Sequence, residues 1–258
     1  MNKTFVDHLG RRIEVCHPPK SIVSLVPSVT ELLYHLGLGN EVKGVTKFCV
    51  HPEKVKASTI EVGGTKNFKM DQIHQIAPDL IIANKEENYI DGIIELEKKY
   101  PVWVGDVNTY KDALSMISDI GEISDKVAHA SRLIGELNEK WGKIKKTYSG
   151  SVLYLIWYKP SMVAGNNTFI NSILDYLGFT NVANKYDRYP ELSSERLYEL
   201  NPEFVFLSSE PFPFKEKHLG FYQSIFPKSK IILVDGEMFS WYGSRMLFAP
   251  DYFKVLFN

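Results

Sequence analysis

The seven histidines, at positions 8, 17, 35, 51, 74, 129 and 218, are the first candidates for bases or metal ligands. Their spacing matches no zinc pattern. The chain has no G-x-S-x-G elbow, no phosphate-binding P-loop, no H-E-x-x-H and no C-x-x-C. Gly37-Leu38-Gly39 follows a helical pattern rather than a strand, which argues against a dinucleotide fingerprint. Carboxylates are plentiful, but no pair stands out as an acid/base couple. The chemistry left is binding. Segments 47–52, 84–88, 157–160 and 235–245 set aromatic rings beside charges and amides, as a site for a large flat organic ligand requires. They supply Phe48, His51, Asn84, Glu86, Trp157, Tyr158, Glu237, Trp241 and Arg245 as ligand-binding candidates. Plain structural readings stand beside these. Phe48 could cap a core, His51 could be a turn residue before Pro52, and Trp157-Tyr158 could be strand-end packing. Glu86-Glu87 could be a solvated turn, and Trp241 with Arg245 a stacked four-residue step at a helix start.

The elements that must carry these segments are short β-rich runs alternating with helical patterns. Strands are expected at 22–26, 80–83, 102–104, 152–157, 204–207 and 231–234, with another ending near Val45. Most are continuous apolar runs, the mark of strands covered on both faces, and the intervening helices argue for parallel βαβ units. Ser28-Val29-Thr30-Glu31 reads as a capping box opening the first helix, which Gly37 ends. In such sheets ligands bind beyond the carboxyl ends of the strands, where the candidate segments fall.

The chain also repeats itself. Residues 71–86 (DQIHQIAPDLIIANKE) align without a gap on 195–210 (ERLYELNPEFVFLSSE), pairing Asp71 with Glu195, Pro78 with Pro202 and Glu86 with Glu210. LLYHLGLGN at 32–40 echoes ILDYLGFTN at 173–181, and a strand ending at Asp106 echoes one ending at Asp235. Three echoes in the same order imply two similar α/β lobes. Between them, Leu133, Leu137, Trp141 and Ile144 fall on one face of a helix expected over 124–149, a strut of roughly 35 Å with Ser124 as its N-cap. The expected fold is therefore two Rossmann-like α/β lobes, 1–123 and 150–258, joined by one long rigid helix at 124–149, with a ligand cleft between the lobes.

Composition bounds the function. The 258 residues are 44% hydrophobic and 24% charged, an ordinary globular balance that excludes a disordered tail or a disulfide-dense miniprotein. The net charge of −1 and the lack of a basic stripe exclude a typical nucleic-acid binder. No stretch approaches the roughly 20 apolar residues of a membrane span. Residues 1–8 carry no secretory signal, so either the protein stays inside the cell, in the cytoplasm, or a leader has been removed. Cys16 and Cys49 are read as reduced thiols, with a disulfide as the alternative. The aromatic residues are skewed, with 10 of 33 before Gly150 and 23 after it. Trp157, Tyr158, Tyr189, Phe239, Trp241 and Tyr242 would give the second lobe a stacking wall facing polar Asn84, Lys85 and Glu86.

The string 21–33 (SIVSLVPSVTELL), with Pro78-Asp79-Leu80-Ile81-Ile82 and the opening Asp7-His8-Leu9-Gly10-Arg11, resembles the helical-backbone substrate-binding proteins of ABC importers. The members it resembles bind vitamin B12, iron–siderophores or haem, and the likeness runs over almost the whole chain. It implies a monomeric, non-enzymatic receptor of the periplasm or cell envelope, with no intrinsic cofactor. The bound ligand would be a corrinoid or iron chelate, cobalamin favoured. It implies docking on the importer permease through Asp71 and Glu195, one acid per lobe. It also places Phe48 at an aromatic pocket position, Tyr189 where relatives carry tryptophan, and Glu237 where an acid meets the corrinoid. Thr65 and Asn84 replace two pocket tryptophans, and Trp241 replaces a cleft arginine while Arg245 matches the arginine after it. His51 or Cys49 could then contact the chelated metal. A cytosolic carrier on the same fold, or an enzyme acting in the cleft, are the alternatives.

Overall fold

The computed structural model describes residues 1–257. The chain packs into two compact units. One comprises Met1–Val107, Lys111–Leu137 and Tyr242–Arg245; the other comprises Asn108–Tyr110, Asn138–Trp241 and Met246–Asn258.

In chain order the elements of the first unit are β1 (Asn2–Val6), β2 (Arg12–Cys16), β3 (Ile22–Ser24), α1 (Pro27–His35), β4 (Val42–Val45), α2 (Val55–Ser58), β5 (Ile60–Glu61), β6 (Gly63–Gly64), β7 (Asn67–Phe68), α3 (Met70–Ile76), β8 (Leu80–Asn84), α4 (Ile90–Glu97) and β9 (Val102–Gly105). Helices α5 (Tyr110–Ile123) and α6 (Val127–Gly142) follow. Five strands form a parallel sheet in the order β5-β4-β3-β8-β9. All five residues of β8 are buried, because both faces are covered. Ile81 and Ala83 meet Ile73 of α3 and Ile93 and Leu96 of α4 on one side. Leu80 and Ile82 meet Leu33 of α1 and Ile120 and Ile123 of α5 on the other. This two-sided burial is what a continuous apolar run predicts.

The second unit contains β10 (Ser151–Trp157), β11 (Met162–Val163), α7 (Phe169–Leu177), β12 (Thr180–Asn181), α8 (Ser194–Leu200), β13 (Phe204–Ser208), α9 (Leu219–Ile225), β14 (Lys230–Val234), α10 (Gly236–Ser240) and α11 (Ala249–Phe257). Its central strands run in the order β10-β13-β14, parallel, with β12 beside the start of β10 and antiparallel β11 beside its end. The order β12-β10-β13-β14 reproduces β4-β3-β8-β9 of the first unit.

The sequence echoes have a structural cause. Both copies of the helix–turn–strand repeat start and stop in register: α3 and β8 shifted by 124 residues are α8 and β13. Each helix ends on a left-handed residue, Ala77 (φ 47°) and Asn201 (φ 39°). The acid after the proline then accepts main-chain N–H groups at the start of the neighbouring strand. Asp79 Oδ2 takes those of Lys20 and Ser21 at 2.8 and 3.0 Å, and Glu203 Oε2 takes that of Ser151 at 2.6 Å. The second echo marks Gly37 (φ 79°) and Gly178 (φ 109°), left-handed glycines closing α1 and α7.

Two local expectations are corrected. The capping box at Ser28 does not form: Val26 is the N-cap, Pro27 occupies the first turn, and no side-chain cap bond is made. Pro27 already presets the helical φ, and Glu31 is engaged elsewhere, as shown below. The strut is also shorter than 124–149. Ser124 closes α5 by donating to Ile120 O at 2.6 Å, Asp125 turns left-handed (φ 60°), and α6 spans 16 residues, about 24 Å. Beyond Gly142 the chain turns, and Lys146 and Tyr148 donate their N–H groups to Tyr176 and Leu177 at the end of α7. Those bonds take the place of further helix. The expected stripe is real, with Leu133, Leu137, Trp141 and Ile144 at most 1% exposed.

Candidate functional site

In the first unit the tips beyond β4, β6, β8 and β9 are knitted together. Phe48, half exposed, lies after β4 with Lys47 Nζ 4.9 Å from its ring centroid. Gly64 of the β6–β7 hairpin faces the same ring, so closely that a Cβ there would sit 3.5 Å from Phe48. At the β8 tip, Asn84 Oδ1 accepts the N–H groups of Glu86 (2.8 Å) and Glu87 (3.1 Å). Lys66 in the hairpin turn donates to the Glu86 carbonyl at 2.5 Å, and Lys85 pairs with Asp106 beyond β9 at 2.6 Å. Glu86 and His51 are partly buried at this edge.

Asn84 itself is 4% exposed, and its side-chain oxygen shapes the turn. Cys49 is fully buried, with its sulfur 3.1 Å from Thr30 Oγ1 and 3.3 Å from Thr46 Oγ1. It thus faces the core, and that burial pushes its thiol pKa up despite those bonds. Both cysteines are free thiols.

Arg245 has a structural role within this unit. Its Nε and Nη2 donate to Glu31 Oε2 and Oε1 of α1 at 2.9 and 2.8 Å. Tyr242 is 5% exposed and donates its hydroxyl to Glu87 Oε1 at 3.0 Å. Burial, reinforced by the Glu87 charge, holds that phenol far above its ordinary range.

In the second unit Trp157 ends β10 and is 38% exposed, its edge against Phe212. Tyr158 is instead packed among Phe212, Phe214, His218, Phe221 and Tyr222, with Lys159 over its ring at 5.0 Å. Phe239 is fully buried against Tyr154, Phe206 and Phe253. So the expected aromatic wall loses Tyr158 and Phe239 to the core of this unit, and Tyr242 packs in the first unit. Tyr189 is half-buried, just after left-handed Arg188 (φ 57°).

Trp241 is not on one helix with Arg245. It is the C-cap of α10, and the chain breaks at Gly243 (φ 99°) before a short 3₁₀ turn. Trp241 is 9% exposed, and its Nε1 donates to Glu210 Oε1 at 2.8 Å; Ser240 Oγ donates to the same oxygen at 2.7 Å. Burial raises the Glu210 carboxyl pKa, the bonds from Ser240 and Trp241 oppose the rise, and the nearby charges of Glu237 and Asp235 add to it. Asp235 caps α10 by accepting the Glu237 N–H at 3.0 Å, which leaves Glu237 partly buried in the first turn.

Asp71 and Glu195 occupy the second position of α3 and α8, both exposed. Glu195 is held below the ordinary carboxylate range by hydrogen bonds from Ser193 and its own backbone.

Sequence reasoning gave Glu31 the wrong role, as a capping residue, placed Glu87 and Asn88 in the candidate segment 84–88 without singling them out for a task, and met Glu210 only as the repeat partner of Glu86. Phe48 in the first unit and Trp157 in the second are exposed rings, suited to stacking, and the β8 tip carries the Asn84 amide and the Glu86 carboxylate. Among the described residues no group of three or more His, Cys, Asp or Glu is placed to hold a metal ion, and no helix is long and apolar enough to cross a membrane.

Comparison with known proteins gives one family. The model described as "Periplasmic binding protein" matches residues 22–225. An uncharacterized ABC transporter substrate-binding lipoprotein of Bacillus subtilis is 28% identical over 214 residues, 78% of this chain and 68% of that protein. A vitamin B12-binding protein of Vibrio campbellii is 25% identical over 197 residues, 74% of this chain and 71% of the relative. A solved structure, a possible iron-binding (periplasmic solute-binding) protein from Staphylococcus epidermidis, superposes with a TM-score of 0.78. It covers 93% of this chain and 100% of its own at 24% identity, a likeness of fold.

Proposed function

Because the chain belongs to the periplasmic binding protein family, we propose that it is the solute-binding component of an ABC importer, taking a metal chelate and delivering it unchanged. Cobalamin is the favoured ligand, with a ferric siderophore or haem next. The observation that carries this reading is the pairing of solvent-facing rings, Phe48 and Trp157, with polar tips at the carboxyl ends of parallel strands in each unit. The B12-binding relative supports the corrinoid choice. His51, Glu86, Tyr189, Glu237 and Trp241 complete the proposed contact set. Asn84, Tyr158 and Arg245 serve as framework beneath it.

Asp71 and Glu195 are the docking acids. Their repeat-equivalent, exposed first-turn positions offer one carboxylate per unit to basic residues of a permease. The protein works as a monomer in the cell envelope, and the relative named a substrate-binding lipoprotein supports that placement. Titration of tryptophan fluorescence with cyanocobalamin, haemin and a ferric catecholate tests the ligand class. One of them should quench at micromolar or lower concentration, and no response to any would overturn the chelate reading. Asp71→Lys with Glu195→Lys should abolish uptake into cells while leaving that titration unchanged.

A further inference from the structure

The tips of the first unit converge on one side chain. Asn88 is 6% exposed, and all of its bonds run to main chain in three separate segments. Its Oδ1 accepts the N–H of Asn84 at the end of β8 (2.8 Å). Its Nδ2 donates to Leu25 O just beyond β3 (3.1 Å) and to Thr65 O in the β6–β7 turn (3.0 Å). Its own N–H returns to Asn84 O at 3.1 Å, so the two asparagines interlock. Only an amide suits the place, with one acceptor for an N–H and two donors for two carbonyls.

What these three segments hold is the proposed ligand face. The β8 turn presents Glu86, whose N–H is fixed by Asn84. The hairpin presents Gly64, against which the Phe48 ring lies. Lys66 of the same turn reaches the Glu86 carbonyl, a second tie between hairpin and β8 tip. We propose that Asn88 is a positioning residue for ligand capture, pre-ordering the Phe48 and Glu86 tips without touching the ligand. The proposal rests on the reading of those tips as the binding face. Its physical basis is that a loop ordered before binding does not charge that ordering to the affinity.

Asn88→Asp tests it. The aspartate keeps the acceptor for Asn84 N–H but turns an oxygen toward two carbonyls, which releases the hairpin. Ile120→Val, a buried change in α5 remote from the tips, is the control for a general loss of stability. Amide exchange without ligand should quicken at 64–66 and 86–87 in Asn88→Asp and not in Ile120→Val. Affinity for whichever of cyanocobalamin, haemin or ferric catecholate the wild type binds should fall roughly tenfold or more in Asn88→Asp, and stay within about twofold in Ile120→Val. Unchanged affinity in Asn88→Asp, or a loss matched by Ile120→Val at equal melting temperature, would overturn the positioning role and leave the chelate reading intact. A wild type that binds none of the three overturns the chelate reading itself. Unchanged exchange at 64–66 refutes the pre-ordering whatever binds.

Discussion

Breaking the Glu31–Arg245 pair should be among the costliest single changes in the first unit, and a double-mutant cycle can measure its coupling. The guanidinium meets the carboxylate with two bonds of 2.8 and 2.9 Å, and the side chains keep only 13% and 15% of their exposure. Hydrogen bonds between charged groups contribute about 1.5–3 kcal/mol each, and removing one partner of a fully buried pair costs about 3–5 kcal/mol. Slight exposure reduces this, so Arg245→Met alone should cost about 2–4 kcal/mol by leaving the Glu31 carboxylate without its two-bond partner, and Glu31→Leu should destabilise as well. The double variant, with no stranded charge, should regain most of the loss. Urea unfolding followed by circular dichroism at low and high salt would give a coupling energy of about 1.5 kcal/mol or more, little changed by salt. A coupling below about 0.5 kcal/mol, or one abolished by salt, would place the pair among exposed surface pairs and refute the reasoning.

Two further predictions concern pH. His8 is half-buried beside Trp103, with Nε2 3.1 Å from Asp119 and Nδ1 3.1 Å from Asp106 O. Burial disfavours its charge, but those bonds and the Asp119 and Asp112 carboxylates outweigh it and raise the pKa above 6.5. Its stabilisation is therefore fully present below the unfolded value and lost as pH rises through the folded one. His8→Gln should cost stability at about pH 5.5 and much less at about pH 8.5 in urea titrations, and an equal cost at both would sink this. Glu210, raised chiefly by burial, likewise favours the folded state while protonated. Glu210→Gln keeps an acceptor for Trp241 and Ser240, so it should match the wild type near about pH 4 and melt a few degrees higher at about pH 7.5; a lower melting point at neutral pH would contradict the burial argument.

The sheets were legible because buried parallel strands write continuous apolar runs, and β8 and β13 are buried over nearly their full lengths. The duplication was legible because its acids do a repeated task, accepting main-chain N–H groups at the start of the neighbouring strand. What periodicity cannot see is competition. Ile144 continues the α6 stripe, yet the backbone beyond Gly142 is drawn to carbonyls of α7. The aromatic skew was only partly a sign of a binding face. Phe179, Phe204, Phe206 and Phe257 cluster in the second unit, and Tyr158 joins another cluster around His218. Arg245 was expected at the ligand, but its partner stands 214 residues away in sequence, and no local pattern announces such a pair. Asn88 reads as an ordinary turn residue until its three main-chain partners are known.

The short return of Tyr242–Arg245 into the first unit also sets an order of events during synthesis. Glu31 leaves the ribosome long before the arginine that neutralises it, and Glu87 precedes Tyr242 by 155 residues. At about 5–20 residues per second, 214 residues take roughly 10–40 s to make. Throughout that interval the amino-terminal half can assemble its strands but carries an unmatched carboxylate on α1. Its last turn of the lock arrives only once Arg245 has been made, so a nascent chain stalled before Arg245 should remain open to proteases and chaperones in a way the finished protein is not.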